Sequence, residues 1–192
     1  LQWVKSCSYP KVFKLRSGAG SQNVKLIKTK RQAAKMIRKA FRGGFTLYDP
    51  VGSLKERWRL YRLGKRNICD LAEGIIRFFV PPPYSRMKGR EKGYIYFQEY
   101  IPQNDYDIRV IVIGDKAFAI KRMVREKDFR ASGSGSILYN RELFDENTIR
   151  LSFALAKRLK SQRVAFDYIH SKSNPMVVEI SYGFSSKGYD PC

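Results

Sequence analysis

The chain has 192 residues, 43% hydrophobic and 14% aromatic, which suits one or two packed domains and excludes a disordered segment. No apolar run approaches the length of a membrane span, and no signal-peptide pattern is present. Lys and Arg number 38 against 17 Asp and Glu, a net charge of +21, which draws polyanions (nucleoside phosphates, nucleic acid, acidic glycans, anionic lipid surfaces) without choosing among them.

The three cysteines, Cys7, Cys69 and Cys192, are far apart and lack metal-site spacing. A reducing, cytoplasmic compartment is the simplest home. The chain opens at Leu1 and stops at Cys192, and it is expected to be a fragment of a longer protein.

Lys11-Val-Phe-Lys-Leu-Arg16 and Asn23-Val-Lys-Leu-Ile-Lys28 read as apolar and basic strands. Between them, Ser17-Gly-Ala-Gly-Ser-Gln22 is neither a Walker loop nor a dinucleotide fingerprint. Its glycines would let backbone N–H groups approach a phosphate, although on this stretch alone an ordinary hairpin turn is the favoured reading. Thr29-Lys-Arg-Gln32 is a capping box, opening a helix with Ala33, Met36, Ile37, Ala40 and Phe41 on one face. Gly43-Gly44 ends it.

Residues 45–93 have the character of a helical insertion. Ser53-Leu-Lys-Glu56 reads as a second capping box before a helix with Leu54, Trp58 and Tyr61 on one side. A further helix over about 68–79 is expected to bury Leu71, Ala72, Ile75 and Phe79, and Cys69 is expected in its core. Pro81-Pro82-Pro83 breaks the chain, and Arg86, Lys88, Arg90 and Lys92 follow in a loop. This basic, aromatic module is compatible with nucleic-acid binding. A solvated helical face is the favoured reading, because no base-stacking platform is evident.

Tyr94-Ile-Tyr-Phe-Gln-Glu-Tyr-Ile101 reads as a strand. Asp107–Ile113 and Ala117–Met123 form a hairpin around Gly114-Asp115, the strongest turn signal in the chain. Residues 125–135 are a polar, glycine-rich loop. A helix over about 145–160 carries Ile149, Phe153, Ala156 and Leu159, with Asp145-Glu146 suited to its N-terminal dipole.

The apolar runs 164–169 and 176–180 flank Ser171-Lys-Ser-Asn-Pro175 and predict a closing hairpin. With its loop centred on Ser173, Ile169 faces Val177 and Asp167 faces Glu179. Asp167, Glu179 and Ser181 then share one face. Opposed carboxylates repel by roughly 3 kcal/mol at about 5 Å and an effective dielectric near 20. A hard divalent cation would remove that repulsion. Two unrelated acids on a solvated face remain the alternative. His170 is expected to be a surface residue of this hairpin.

The lysine strand with its glycine hairpin, Gln98-Glu-Tyr-Ile101 with Asp107-Ile-Arg109, the Asp128-Phe-Arg-Ala-Ser132 loop, and Asp167 with Glu179-Ile-Ser181 stand in an order that resembles the ATP-grasp superfamily. The likeness is greatest to the ribosomal-protein glutamate ligases and related carboxylate–amine ligases. It covers nearly the whole chain except 45–93. The resemblance implies an α+β fold of two subdomains, 1–97 and 98–192, with a mostly antiparallel sheet in the second and a nucleotide between them.

It further implies ATP and Mg²⁺ as cofactors. Lys14 would touch the nucleotide phosphates, and the loop with Gly18, Gly20 and Ser21 would close over them. Glu99, Tyr100 and Ile101 would form the adenine hinge, and Asp107 would sit near the ribose. Lys121, Arg130 and Ser132 would face phosphate or acyl phosphate, with Lys121 and Arg130 catalytic. Asp167, Glu179 and Ser181 would hold the metal. The implied chemistry is amide formation through an acyl phosphate. The carboxylate and amine substrates are not named by the sequence; acidic or polyanionic ones suit the charge.

Two departures matter. The family's metal strand usually reads Glu-x-Asn, and here it is Glu179-Ile-Ser181, a weaker ligand set. Only residues 1–10 precede the lysine strand, so the family's preceding domain is expected to be missing. Nucleotide binding without ligase turnover and polyanion or nucleic-acid binding both stay open as alternatives.

Overall fold

A computed structural model of the chain describes residues 2–16, 23–125, 128–171, 174–184 and 189. It divides into two compact units, 1–100 and 101–192.

The first unit opens with helix α1 (Gln2–Ser6), strand β1 (Lys11–Lys14) and strand β2 (Lys25–Ile27). Helix α2 (Lys30–Arg42) follows, and Thr29 caps it as predicted: its hydroxyl accepts from the Gln32 N–H at 3.3 Å. The Gln32 side chain reaches back to the Lys28 N–H at 2.8 Å. Ala33 and Ala40 are buried, with Met36 and Ile37 packed beside them. Phe41 is exposed, so the predicted apolar face is one residue narrower than expected.

Strand β3 (Phe45–Thr46) leads to α3 (Pro50–Arg62) and α4 (Ile68–Phe79). Helix α3 starts three residues before the expected capping box. Asp49 is its cap, accepting from the Gly52 N–H at 3.1 Å, and Pro50 occupies the first turn, where a missing N–H costs nothing. Asn67 and Asp70 form a reciprocal capping box at the start of α4. The residues after the proline run are helical, α5 (Pro83–Lys88), where a loop was predicted. Strand β4 (Arg90–Glu91) pairs with β3, and β5 (Tyr96–Glu99) completes a sheet of order β2-β1-β5. Phe13, Leu15, Ile27, Phe45 and Leu47 form the core with α2.

Helices α3 and α4 meet through polar groups. The Arg57 guanidinium donates to the Asp70 carbonyl at 2.7 Å and to Glu73 at 3.0 Å. Gly74 lies against Arg57 and Leu54, where a Cβ would come within 2.8 Å of the Arg57 side chain. Arg66 binds Asp70 and Arg77 binds Glu73. The consequence corrects the sequence reading: Ala72, Ile75 and Phe79 are exposed, and so is Cys69. The predicted core stripe points away from α3, because the helix packs through its glycine and its acids.

Hydrogen bonding to Arg66 lowers the pKa of Asp70, and hydrogen bonding to Arg57 lowers that of Glu73. Acids depressed in the folded state contribute stability above their unfolded pKa of about 4, and that contribution is lost as the pH falls through the lower folded value. The α3–α4 pair should therefore loosen below about pH 4. Trp58 emission, read in a Trp3→Phe background, should shift there before the sheet signal does. High salt should produce a similar shift at neutral pH.

The second unit contains β6 (Tyr106–Ile113), β7 (Lys116–Met123), β8 (Ile137–Leu138), α6 (Glu146–Arg158), β9 (Arg163–Ser171) and β10 (Asn174–Ser181). Their antiparallel sheet has the order β10-β9-β6-β7-β8. Side chains alternate faces. Ile108, Val110, Val112, Val164, Phe166 and Tyr168 face α6 and form the core with Ala156. The helix begins at Glu146, within a residue of the expected start, with Asp145 as its cap, but Leu159 is exposed. Its buried positions include Thr148 and Ser152, and the Ser152 hydroxyl satisfies the buried Tyr168 hydroxyl at 2.8 Å. Among the described residues no helix is long and apolar enough to cross a membrane.

Candidate active site

The opposite face of this second sheet is charged, and the hairpin register builds it. Gly114-Asp115 joins β6 to β7 and sets Asp107 opposite Arg122. Strand β9 lies on the other side of β6, which sets Arg109 opposite Asp167. Strand β10 then sets Glu179 opposite Asp167 and Ser181 opposite Ala165. The predicted Asp167–Glu179 pairing is present, but Ile169 faces Met176, not Val177. A bulge between Val177 and Glu179 absorbs the extra residue, so only the distal part of the hairpin is displaced.

Asp167 is 5% exposed, and two arginines hold it. Arg109 grips both its oxygens, at 2.5 and 2.7 Å. Arg122 binds its Oδ2 at 3.0 Å and grips Asp107 at 2.6 and 2.7 Å. Four charges thus alternate in sign across three strands. Burial alone would raise the Asp167 pKa, but the hydrogen bonds and charges of Arg109 and Arg122 outweigh it and hold the carboxyl below the usual range. Burial pushes the Asp107 carboxyl up, against the pull of its single arginine partner. The two-point contact with Arg122 is that of an ionised carboxylate.

Charge compensation at Asp167 is therefore internal. The sequence reading took repulsion from Glu179 as the reason for a cation, and the arginines already answer it. Glu179 stands exposed beside the network, and its Oε1 accepts from the Ser181 hydroxyl at 3.2 Å. Among the described residues no group of three or more His, Cys, Asp or Glu side chains is placed to hold a metal alone.

The other expected site residues fall in separate places. Lys121 pairs with Ile108, on the α6 side of the sheet and across it from Asp167. Its ammonium lies 3.7 Å from the Tyr106 ring centroid. Arg130 makes three bonds to Asp128, at 2.6 to 3.1 Å. The Ser132 carbonyl accepts from the buried Arg125 guanidinium at 3.1 Å. Gly133, at φ +76°, lets that guanidinium in, since a Cβ there would come within 2.6 Å of it.

His170 is part of strand β9 and partly buried, its N–H bonded to Asn104 at 3.0 Å. Burial lowers its pKa. Its ring sits 5.7 Å from that of Tyr106, so it is not the surface hairpin residue expected.

In the first unit, Lys14 ends β1, partly buried, and Glu99 ends β5. The Glu99 carboxylate is ion-paired with Lys11, a buried lysine that the sequence reading passed over. Tyr100 and Ile101 follow in irregular chain and are half-buried. Gly18, Gly20 and Ser21 lie outside the described residues.

Two antiparallel-sheet units of this kind define an ATP-grasp fold, and solved structures agree. D-alanine–D-alanine ligase from Bacillus anthracis matches with a TM-score of 0.51 and 16% identity, covering 90% of this chain and 43% of that one. Its complex with ATP matches at 0.52 and 15%, covering 96% and 47%. The biotin carboxylase domain of the Hydrogenobacter thermophilus 2-oxoglutarate carboxylase, solved with MgADP, ADP and bicarbonate, matches at 0.53 and 12%, covering 96% and 33%. This chain spans less than half the length of each. No curated protein sequence matches it. The model of the RimK-like ATP-grasp domain matches residues 85–190, and the chain belongs to that family.

Proposed function

We propose that this chain is the ATP-binding part of an ATP-dependent carboxylate–amine ligase. Family membership supports the class. The observation that carries the reading is the charged face of the second sheet, where Arg122, Asp107, Arg109, Asp167 and Glu179 are assembled from four strands. Asp167 and Arg122 are buried and Asp107 and Arg109 partly so; withdrawing charges from water is costly unless they are paired, and pairing fixes their geometry. A fixed array of guanidiniums and carboxylates suits transfer of a phosphoryl group, in which charge spreads over the phosphoryl oxygens.

In that reading a carboxylate attacks the γ-phosphorus of ATP and ADP leaves. An amine then attacks the acyl carbon and phosphate leaves. Lys14 contacts the nucleotide phosphates, while Glu99, Tyr100 and Ile101 provide the adenine hinge. Arg130 and Ser132 stand at the transferred phosphate. Lys121, on the α6 face with Tyr106, is better suited to bracing β7 than to touching it.

Mg²⁺ fits the donor set as an ion completed by substrate phosphates, since such ions commonly take only one or two carboxylates. Glu179 offers an exposed carboxylate and Ser181 a hydroxyl already beside it. Asp167 accepts three N–H groups out of about four acceptor positions, so its share is one position on Oδ1. When bound, the metal would offset phosphate charge. Ser181 in place of the usual amide favours a second reading, in which the chain binds nucleotide and turns over slowly or not at all.

Lys14→Ala should weaken ATP binding by a charge-assisted contact, about 1.5–3 kcal/mol, and Lys28→Ala should do little. Calorimetric titration of the two variants checks this. Equal losses would point to diffuse electrostatics instead of a defined phosphate contact.

A further inference from the structure

Helix α4 carries a second surface feature, which stands apart from the ligase reading. Ile68, Ala72, Ile75, Ile76 and Phe79 are all exposed, with Ile68 at 66% and Phe79 at 80%. Their spacing places them along one side of the helix. The opposite side, through Gly74, Asp70 and Glu73, is the one that packs on α3. Met87 of α5 is likewise exposed, at 82%. Proteins seldom leave a contiguous apolar stripe to water unless something covers it.

The surrounding charge says what kind of surface would cover it. Residues 50–88 hold nine Lys and Arg against three acids, Glu56, Asp70 and Glu73. All three acids are paired with arginines of the two helices or of the turn between them. Among the described residues, no ion pair involves Lys55, Arg62 or Arg86. The module therefore presents an apolar stripe together with an uncompensated positive charge.

A second copy would bring the same excess of positive charge to the contact and be repelled. Nucleic acid would take the cations but leave three isoleucines against a charged backbone. An anionic lipid surface satisfies both: its headgroups meet the cations and its acyl boundary receives the stripe. We propose that the α3–α4–α5 module docks the protein on anionic membranes, with α4 lying in the interface and Ile75, Ile76 and Phe79 as the inserted residues. A twelve-residue helix is too short to span and long enough to lie flat.

Co-sedimentation with phosphatidylcholine vesicles, with and without phosphatidylglycerol, tests this. The wild-type chain should bind the anionic vesicles and not the neutral ones. Ile75→Asp/Phe79→Asp should weaken partition at least about tenfold, and the milder Phe79→Ser should weaken it less. Both variants should keep the wild-type unfolding midpoint, since the residues are exposed. Absence of binding, equal binding to neutral vesicles, or variants that bind as wild type would each overturn the proposal. So would sedimentation equilibrium showing self-association that the double variant abolishes.

Discussion

Replacing Arg122 by methionine should destabilise the second unit by about 3–5 kcal/mol, the largest effect expected of any single substitution here. The side chain is buried and grips Asp107 through two bonds while sharing Asp167 with Arg109. Removing it leaves the partly buried Asp107 carboxylate without its bound cation and the buried Asp167 with half its compensation. Adding Asp107→Asn to Arg122→Met should recover much of the loss, because the stranded charge is then gone. Arg130→Met gives the contrast. Its partner Asp128 is half-buried, and pairs that water still reaches are worth only about 0–1 kcal/mol. Urea unfolding of the four proteins checks all of this. A small loss in Arg122→Met, or no recovery in the double variant, would show that the network is not a structural unit.

Glu179→Gln should separate the metal from the fold. Had Glu179 and Asp167 simply repelled one another, removing the charge would have stabilised the metal-free chain. Asp167 is already neutralised by Arg109 and Arg122, and Glu179 is exposed, so the metal-free stability should change by no more than about ±0.5 kcal/mol. Mg²⁺-dependent ATP affinity should nevertheless fall on the order of tenfold or more, as for loss of a metal ligand or its close support. Ser181→Asn should move the same titration the other way, since the amide oxygen reaches further than a hydroxyl. Coincident Mg²⁺ titrations of the three proteins would remove the hairpin as a metal site.

The sequence made some of this legible and left the rest hidden, for identifiable reasons. Local chemistry carried well: the Thr29 cap, the start of α6 at its acidic pair and the Gly114-Asp115 turn stand where the residues place them. That turn also contains the Asp107–Arg122 pairing, because a two-residue loop fixes the register of every later pair in the hairpin. Arg122 was thus within reach of the sequence, and its neighbour Lys121 was taken in its place. A shift of one residue changes the face of the sheet, which is why the two differ so much in surroundings. The Arg109–Asp167 pair is different. It depends on β6 meeting β9 across 58 residues, and no turn specifies that register. The outward stripe of α4 was hidden for another reason. Apolar periodicity shows that a helix has an apolar side but not which side its neighbour takes. Here Gly74 and the Arg57 contacts decided it.

The most direct test of the ATP-dependent ligase reading is the unfolding midpoint with ATP, with and without Mg²⁺, against inorganic tripolyphosphate at the same ionic strength. A ligand at about 100 times its dissociation constant adds about 2.7 kcal/mol to the native state, on the order of 5–10 °C for a chain of this size. Such a rise with ATP and Mg²⁺ is expected, much reduced without Mg²⁺, with tripolyphosphate, or in Lys14→Ala and Glu179→Gln. Equal stabilisation by tripolyphosphate and ATP, indifferent to Mg²⁺ and to both substitutions, would contradict it and leave a basic polyanion-binding protein.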